Sequence, residues 1–139
     1  MDAPATDPIT PPPGTLFETR QALLPTCEQH GMHSRHTGRR YRIQTTCVGP
    51  EPEGGYPVFT LLDGDTLFPV AAMAAHAMMT RTGENGVAPM LLVGVGYGHD
   101  GWLDTDARVE DYTPPVADGS ASHDARGRRQ GGAGRLLRF

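Results

Sequence analysis

Gly55-Tyr56-Pro57-Val58-Phe59-Thr60-Leu61-Leu62-Asp63-Gly64-Asp65 is the stretch of this 139-residue chain that decides its fold. The apolar run within it has the length of a strand, and its β-branched and aromatic residues favour a strand over a segment of helix. Pro57 falls at the first position, where a missing N–H is tolerated, and Asp63-Gly64 ends the run with a turn. The run therefore predicts a strand over 57–62 that is central in its sheet and buried on both faces.

A helix is expected directly after this strand. Apolar residues recur there at helical spacing, and Pro69 falls in the first turn, where its missing N–H has little effect. The pattern predicts a helix over 67–82, which Asp65 or Thr66 caps and Gly83 ends.

Two further strands complete the predicted sheet. Apolar or β-branched residues alternate with polar ones from Tyr41 to Cys47, which predicts a strand over 41–48 with one buried face. A second short apolar run predicts a buried strand over 89–95. The last two strands and the helix between them form a βαβ unit, in which the strands are parallel. The expected fold class is α/β, with a mixed sheet.

Glycine and proline separate a compact middle from loose ends. The chain has 18 glycines and 13 prolines, concentrated near its two ends and in the turn at 49–57. Such a composition without a repeat disfavours a packed core. We therefore expect a disordered proline-rich arm at 1–15, a folded region at 16–116 and a flexible Gly/Arg-rich tail at 117–139.

Charge and cysteine content exclude several classes of function. The net charge is −4, whereas a nucleic-acid-binding protein needs a clustered basic face, so no nucleic-acid partner is expected. All twelve basic residues are arginine, and five of them lie between residues 126 and 138. A solvated charge run is favoured there over a phosphate-binding tail. Cys27 and Cys47 are too few to imply a disulfide framework.

Membrane segments and targeting signals are not expected either. The longest apolar stretch, Leu67 to Met79, is interrupted by proline and histidine and is too short to span a bilayer. The first residues lack the basic and apolar regions of a secretory signal. These features predict a cytoplasmic protein that contacts no membrane.

Three motifs admit both a chemical and a structural interpretation. The run from Gly96 to Gly101 matches the dinucleotide pattern Gly-x-Gly-x-x-Gly, but no helical period follows, which disfavours a nucleotide site. A glycine-rich loop after a parallel strand is still where ligands bind in such sheets. His30, His33 and His36 converge on a metal only if they lie on a helix, so surface histidines are favoured. Asp63-Gly64-Asp65 is explained by a turn and helix cap more readily than by acid–base or metal chemistry. We expect no metal and no cofactor.

Three segments, taken together, resemble one protein family. They are Gly55–Asp65, Leu92–Tyr97 and Asp106–Pro115. Members of that family show a Gly-Tyr-Pro-Val strand ending in Leu-Leu-Asp-Gly, then a Val-Gly-Ile-Gly-Tyr strand end, then an Arg-x-x-Asp-Tyr-Thr-Pro segment. The order and spacing resemble the esterase branch of the α/β-hydrolases, closest to the trilactone siderophore esterases that open enterobactin-type macrocycles. The resemblance covers residues 16–139 and implies the amino-terminal half of such an enzyme, with a partial α/β-hydrolase sheet.

The resemblance implies roles for three residues. In the family, N–H groups of the loop after the third strand form part of the oxyanion hole, which points to the amides of Gly64 and Asp65. Arg108 would bind the substrate, because a guanidinium pairs with carboxylate or catecholate oxygens. We also expect Gly64 to face the pocket and to hold a φ that only glycine adopts readily.

The resemblance also implies a serine nucleophile that this sequence does not carry in its usual setting. The nucleophile elbow has the pattern Gly-x-Ser-x-Gly, and Ser34, Ser120 and Ser122 lack it. In the family, the serine and the catalytic histidine lie in the carboxyl-terminal half. We expect an amino-terminal part of a serine ester hydrolase that is inactive alone and acts on a small-molecule ester once a carboxyl-terminal half completes it. The alternative is a truncated, non-catalytic remnant.

Overall fold

A mixed four-stranded sheet forms the centre of the structure, which is a computed structural model. The structure describes residues 24, 26–81, 86–99, 101–118, 120 and 122–138. The strands are β1 (Glu28–His33), β2 (Arg40–Val48), β3 (Val58–Leu62) and β4 (Met90–Tyr97). The helices are α1 (Gly64–Met79), α2 (Thr105–Asp111) and α3 (Ala133–Leu136). The predicted arm at 1–15 lies outside the described residues.

The strand order β1-β2-β4-β3 confirms the predicted mixed sheet and its βαβ unit. β3 pairs with β4 in parallel, and α1 connects them along the chain. β2 is antiparallel to both β1 and β4. Because β3 and β4 are parallel, their carboxyl ends meet at one edge of the sheet, and the antiparallel β2 begins at that same edge.

Helices cover the two faces of the sheet unequally. α1 packs Phe68 and Ala72 against Leu92 on one face. On the other face, Tyr41 and Tyr97 pack with Ala107 of α2, and Leu136 of α3 contacts this second cluster. β2 therefore contributes to both faces and does not have the single buried face that its alternation predicts.

The exposure of Cys47 shows that the helices leave the second face of the sheet uncovered at the carboxyl end of β2. The predicted alternation placed Cys47 on the buried face with Tyr41, but it is exposed, whereas Thr46 and Val48 on the opposite face are buried. α2 and α3 lie over the end of the sheet that contains Tyr41, so their cover does not reach the other end of β2.

β3 is not buried on both faces as its sequence predicts. It is the edge strand of the described sheet, and Val58, Phe59 and Leu62 are exposed, Val58 by 63%. The apolar run predicts strand structure correctly, but burial also requires a second neighbouring strand. Within the described residues β3 has a neighbour only in β4.

α1 begins at Gly64, three residues before the predicted start, and neither predicted cap is used. Asp63 is the N-cap and makes no side-chain capping bond. The carboxylate of Asp65 instead accepts hydrogen bonds from Arg42 and from the N–H of Tyr97. The hydroxyl of Thr66 donates to a carbonyl outside the helix. The helix ends at Met79, and Gly83 lies outside the described residues.

Two elements have no local signal in the sequence. β1 is a polar segment, Glu-Gln-His-Gly-Met-His, with all six residues exposed, and it forms by pairing with β2. α2 has too few turns for an apolar period, and its N-terminus is capped by Asp104, whose side chain accepts from the N–H of Ala107 at 2.9 Å.

Residues 129–136 contact α2 and the residues directly after it, and they lie within the segment 117–139 for which composition predicts a flexible tail. The N–H of Gly132 donates to the carbonyl of Glu110 at 2.7 Å, and the N–H of Gly131 donates to the hydroxyl of Thr113 at 2.7 Å. Arg135 forms an ion pair with the carboxylate of Glu110. A nearly buried carboxylate requires compensating charge, which explains why arginines from the tail gather around it.

Candidate active site

The candidate site lies at the sheet edge where β3 and β4 both end. Asp63-Gly64-Asp65 follows β3 and opens α1, while Gly98 and His99 follow β4. Ligands of open α/β sheets bind outside the carboxyl ends of the strands. The structure therefore places the predicted loop where such sheets bind ligands.

Asp63 holds an unusual backbone conformation through contacts with α2 and the residue that follows it. Its φ of 56° and ψ of 40° lie in the left-handed region, which residues other than glycine rarely adopt. Its Oδ1 accepts hydrogen bonds from Nε of Arg108 at 2.7 Å and from the hydroxyl of Tyr112 at 3.0 Å. The N–H of Asp63 donates to the same hydroxyl at 3.2 Å. One residue of the loop thus binds two side chains that are distant in the sequence.

Arg108, which the resemblance assigns to substrate binding, is the ion-pair partner of Asp63 in the loop. Its guanidinium also lies over the ring of Tyr112, 5.4 Å from the ring centre. The hydrogen bond to Asp63 raises the pKa of Arg108 above its ordinary value, and burial raises the pKa of Tyr112. Both side chains therefore keep the protonation states that these contacts require.

The side chain of Asp65 has a structural role. The carboxylate is 5% exposed, and its two oxygens accept from Nη1 of Arg42 at 2.7 Å and from the N–H of Tyr97 at 2.6 Å. These bonds tie the first turn of α1 to the start of β2 and the end of β4. Only the backbone N–H of Asp65 is left as a candidate for contact with a ligand.

Gly64 is required by close packing and not by its φ. A Cβ atom there would lie 2.8 Å from backbone atoms of Gly94 and Val95 in β4. The positive φ of the loop belongs to Asp63, so the expectation of a glycine-specific φ at Gly64 is wrong. A side chain at position 64 would also point into the sheet and not toward a ligand at its edge.

The first N–H groups of α1 can stabilise negative charge. Gly64 and Asp65 are its first two residues, and the first N–H groups of a helix have no intrahelical acceptor. The carbonyl of Asp63 accepts from the N–H groups of Thr66 and Leu67, at 3.0 and 2.9 Å. The amides of Gly64 and Asp65 have no acceptor among the described residues, and the helix dipole adds positive potential at this end.

A second group of polar side chains is gathered around Asp111 and connects α2 to β2 and β4. Asp111 is 1% exposed and accepts from the hydroxyls of Tyr41 at 2.8 Å and Tyr97 at 3.2 Å, while Nε of Arg39 lies 3.5 Å away. Burial raises the pKa of Tyr41 to about 12 and also raises the pKa of Tyr97. Sequence reasoning missed this group, because two of its members, Tyr41 and Asp111, are 70 positions apart along the chain. The one available signal was a pair of acidic residues beside an aromatic in the family-like segment.

The glycine-rich run begins inside β4, and its first glycine serves packing against α1. A Cβ at Gly96 would overlap the carboxylate of Asp65, so this glycine makes room for a side chain of the protein itself. α2 begins at Thr105, beyond the loop, and does not present its N-terminus within it. Nδ1 of His99 accepts from the N–H of Gly101 at 2.8 Å. The geometry gives no support to a dinucleotide site.

The three spaced histidines lie on and after a strand and are exposed. His30 and His33 belong to β1, three positions apart, so their side chains point to opposite faces. His36 lies in the turn that follows. In the described part of the chain, no group of three His, Cys, Asp or Glu side chains could hold a metal ion. No helix among the same residues is long and apolar enough to cross a membrane.

Known proteins resemble this chain in both sequence and fold. A curated relative, the ferri-bacillibactin esterase BesA of Bacillus subtilis, is 33% identical over 120 residues, which is 84% of this chain and 41% of BesA. The crystal structure of the BES protein from Bacillus cereus is 32% identical with a TM-score of 0.77, over 90% of this chain and 46% of that one. The homologues of this chain are siderophore esterases.

A fungal enzyme extends the likeness. The siderophore hydrolase EstB from Aspergillus nidulans is 26% identical with a TM-score of 0.67, over 87% of this chain and 42% of that one. No protein-family model matches the chain. The structural neighbours are α/β-hydrolases, so the resemblance and the partial α/β-hydrolase sheet expected from the sequence are confirmed. The chain spans less than half the length of each of these relatives.

Proposed function

We propose that this chain is the amino-terminal part of a serine ester hydrolase that acts on a siderophore trilactone or a related ester. The observation that carries the proposal is the loop Asp63-Gly64-Asp65, which opens α1 at the carboxyl end of β3 in a chain 33% identical to a ferri-bacillibactin esterase. In this proposal residues 16–116 form the amino-terminal half of the hydrolase domain.

The proposed contribution of the loop is stabilisation of an oxyanion. Attack on an ester carbonyl converts its oxygen into an alkoxide, and fixed N–H donors aimed at that oxygen lower the barrier. The amides of Gly64 and Asp65 are the proposed donors, because both lie at the positive end of α1 and have no acceptor among the described residues. The buried carboxylate of Asp65 is held by Arg42 and Tyr97 and remains a fixed part of the frame.

Arg108 is the proposed substrate-side cation. Its Nε is engaged by Asp63, while Nη1 and Nη2 have no partner among the residues that the structure describes. The side chain is 35% exposed, so those two nitrogens are accessible to a ligand. A guanidinium that is anchored by one nitrogen loses less freedom when the other two bind carboxylate or catecholate oxygens.

The nucleophile is proposed to come from further polypeptide of the hydrolase, whether continuous with this chain or separate. Of the three serines, Ser34 lies in the turn after β1, where its hydroxyl accepts two backbone N–H groups. β3 exposes Val58 and Phe59, and α1 exposes Leu67 and Val70. In this proposal, a parallel strand of that polypeptide pairs with the edge of β3 that has no partner among the described residues, and it ends beside the loop.

A chimera tests the proposal. Residues 16–139 would replace the aligned segment of the Bacillus subtilis esterase, and hydrolysis of a trilactone would be measured. We expect turnover that a serine-directed phosphonate inhibits, while the 139-residue chain alone shows none above background on p-nitrophenyl esters or a trilactone. The same chimera with the elbow serine of the Bacillus segment changed to alanine is the control. A chimera that is folded by circular dichroism and monodisperse, yet inactive, would favour the non-catalytic alternative.

A further inference from the structure

We propose that Asp63, Arg108 and Tyr112 form a positioning clamp, which holds the loop in its left-handed conformation so that the N–H groups of Gly64 and Asp65 point at the substrate. The inference rests on the proposed function, since it assigns the control of those donors to three named side chains. Asp63 and Tyr112 are positioning residues in this scheme, because they act through the loop and not on the substrate.

The backbone of Asp63 shows the need for a clamp. Among the described residues other than glycine, only Asp63 and Thr26 have positive φ. Aspartate usually tolerates this conformation by bonding to nearby backbone with its own side chain. Here Asp63 makes no such capping bond, and its carboxylate instead binds Arg108 and Tyr112, 45 and 49 positions away. A conformation that the local sequence does not favour is therefore maintained by tertiary contacts.

Tyr112 fixes both the side chain and the backbone of Asp63. A phenol hydroxyl can donate one hydrogen bond and accept others. The hydroxyl of Tyr112 donates to Oδ1 of Asp63 at 3.0 Å and accepts from the N–H of Asp63 at 3.2 Å. These two bonds determine the direction of the N–H before Gly64. The φ and ψ of Asp63 relate this N–H to the amide of Gly64, and the helical conformation of α1 relates the amide of Gly64 to that of Asp65.

Arg108 keeps the clamp closed by supplying charge. The carboxylate of Asp63 is 14% exposed, and Arg108 is its ion-pair partner at 2.7 Å. The ring of Tyr112 lies against the same guanidinium, which links the two contacts. All three members of the clamp are therefore in mutual contact, and loss of one loosens the other two.

A purely structural tether between α2 and the turn before α1 is the competing explanation. Such a tether is already present nearby, because Asp65 connects the first turn of α1 to Arg42 and Tyr97. Loss of the hydroxyl of Tyr112 should therefore leave the fold in place and change the geometry of the loop. A tether would change stability alone, whereas a positioning clamp changes kcat.

The test uses the active chimera and replaces Asp63 by two small residues. Asp63→Ala removes the clamp and disfavours positive φ, and we expect kcat to fall about 10²-fold, the scale of losing one oxyanion donor. Asp63→Gly also removes the clamp, but glycine adopts positive φ readily. The kcat of Asp63→Gly should therefore be about 10-fold higher than that of Asp63→Ala. Equal losses for both variants would overturn the proposal, because the backbone conformation would then be irrelevant.

Tyr112→Phe is the second variant, with Tyr56→Phe as its matched control. Tyr56 donates its hydroxyl to the carbonyl of Gly49, in a turn outside the proposed site. We expect Tyr112→Phe to lower kcat about 10-fold with KM changed less than about twofold, and Tyr56→Phe to change neither. A lowered melting temperature with unchanged kcat in Tyr112→Phe would support a tether and contradict the clamp.

A spectroscopic measurement keeps the inference separate from the proposed function. In the 139-residue chain labelled with ¹⁵N, Tyr112→Phe should shift the amide resonances of Gly64 and Asp65, while Tyr56→Phe should not. If the unsubstituted chimera is inactive, the proposed function fails, and these resonances still decide whether Tyr112 orients the loop. Unchanged resonances in Tyr112→Phe would overturn the clamp whatever the activity of the chimera.

Discussion

Gly64 and Gly96 bring the first turn of α1 into direct contact with β4. A side chain at position 64 would meet the backbone of β4, and one at position 96 would meet the carboxylate of Asp65. Both contacts place the candidate N–H donors at a fixed height above the sheet edge. The two glycines therefore matter to the site because they have no side chain, and not because glycine makes the backbone flexible.

Gly64→Ala should destabilise the fold. The new Cβ would lie 2.8 Å from the backbone of β4, which cannot move without disturbing the sheet. We expect the free energy of unfolding to fall by about 1–3 kcal/mol, the usual effect of overpacking, as measured by urea denaturation followed by circular dichroism. Gly134→Ala is the matched control, because a Cβ there meets nothing within 4 Å and lies in α3. Equal stability of the two variants would show that α1 can move away from β4.

The elements show which parts of this fold a local pattern can reveal. The two strands and the helix of the βαβ unit were predictable, since the strands are short continuous apolar runs and the apolar residues of the helix recur at helical spacing. β1 was not, because a polar strand with all residues exposed exists only through its pairing with β2. Burial of β3 was also mispredicted, because its neighbours are a property of the whole sheet.

The candidate site was predictable to a similar extent. The position of Asp63-Gly64-Asp65 at the end of a strand follows from the order of the elements, whereas the ion pair of Arg108 with Asp63 is not part of the prediction for Arg108. The conformation of Asp63 and its bonds to Tyr112 could not be predicted, because they depend on contacts across more than 40 residues of sequence.

The exposed edge of β3 should cause self-association of the chain. An unpaired apolar edge strand is a template for another strand, and a lysine on it opposes such pairing. Val58→Lys should therefore reduce association at high protein concentration, as measured by sedimentation velocity, with the circular dichroism spectrum unchanged. Val70→Lys is the matched control, because Val70 is similarly exposed but lies on α1, away from the edge. Equal effects would attribute association to apolar surface in general and not to the strand edge.

The carboxylate of Glu110 holds together segments of the molecule that do not pair with each other in the sheet. Its carboxylate pairs with Arg39, immediately before β2, and with Arg135 of α3, and Nε of Arg129 lies 3.8 Å away. The pKa of Arg39 is raised: burial alone would lower it, but Asp111 and Glu110 raise it by more. One side chain in α2 thus holds the start of the sheet and the arginine-rich segment together.

Glu110→Gln should release residues 122–138 while the sheet persists. A neutral amide cannot balance the arginines around it, and these are only partly exposed, so the free energy of unfolding should fall by about 1–3 kcal/mol. The two sheet-face clusters do not include Glu110, so β2 and β4 should remain packed. Trypsin should then cleave after Arg126, Arg128 and Arg129 several-fold faster than in the unsubstituted chain.

Asp124→Asn is the control for this release, because it removes only the local pair with Arg128, four residues away. A pair within one turn contributes about 0.2–1 kcal/mol, so the segment should stay attached to α2 in that variant. Moderate salt should mimic Glu110→Gln in part, because the arginines are partly exposed and their attraction to the carboxylate is screened. If trypsin cleaves Glu110→Gln and the unsubstituted chain at the same rate, the backbone bonds from Gly131 and Gly132 to α2 are sufficient to hold the segment. The ion pairs would then add nothing to its attachment.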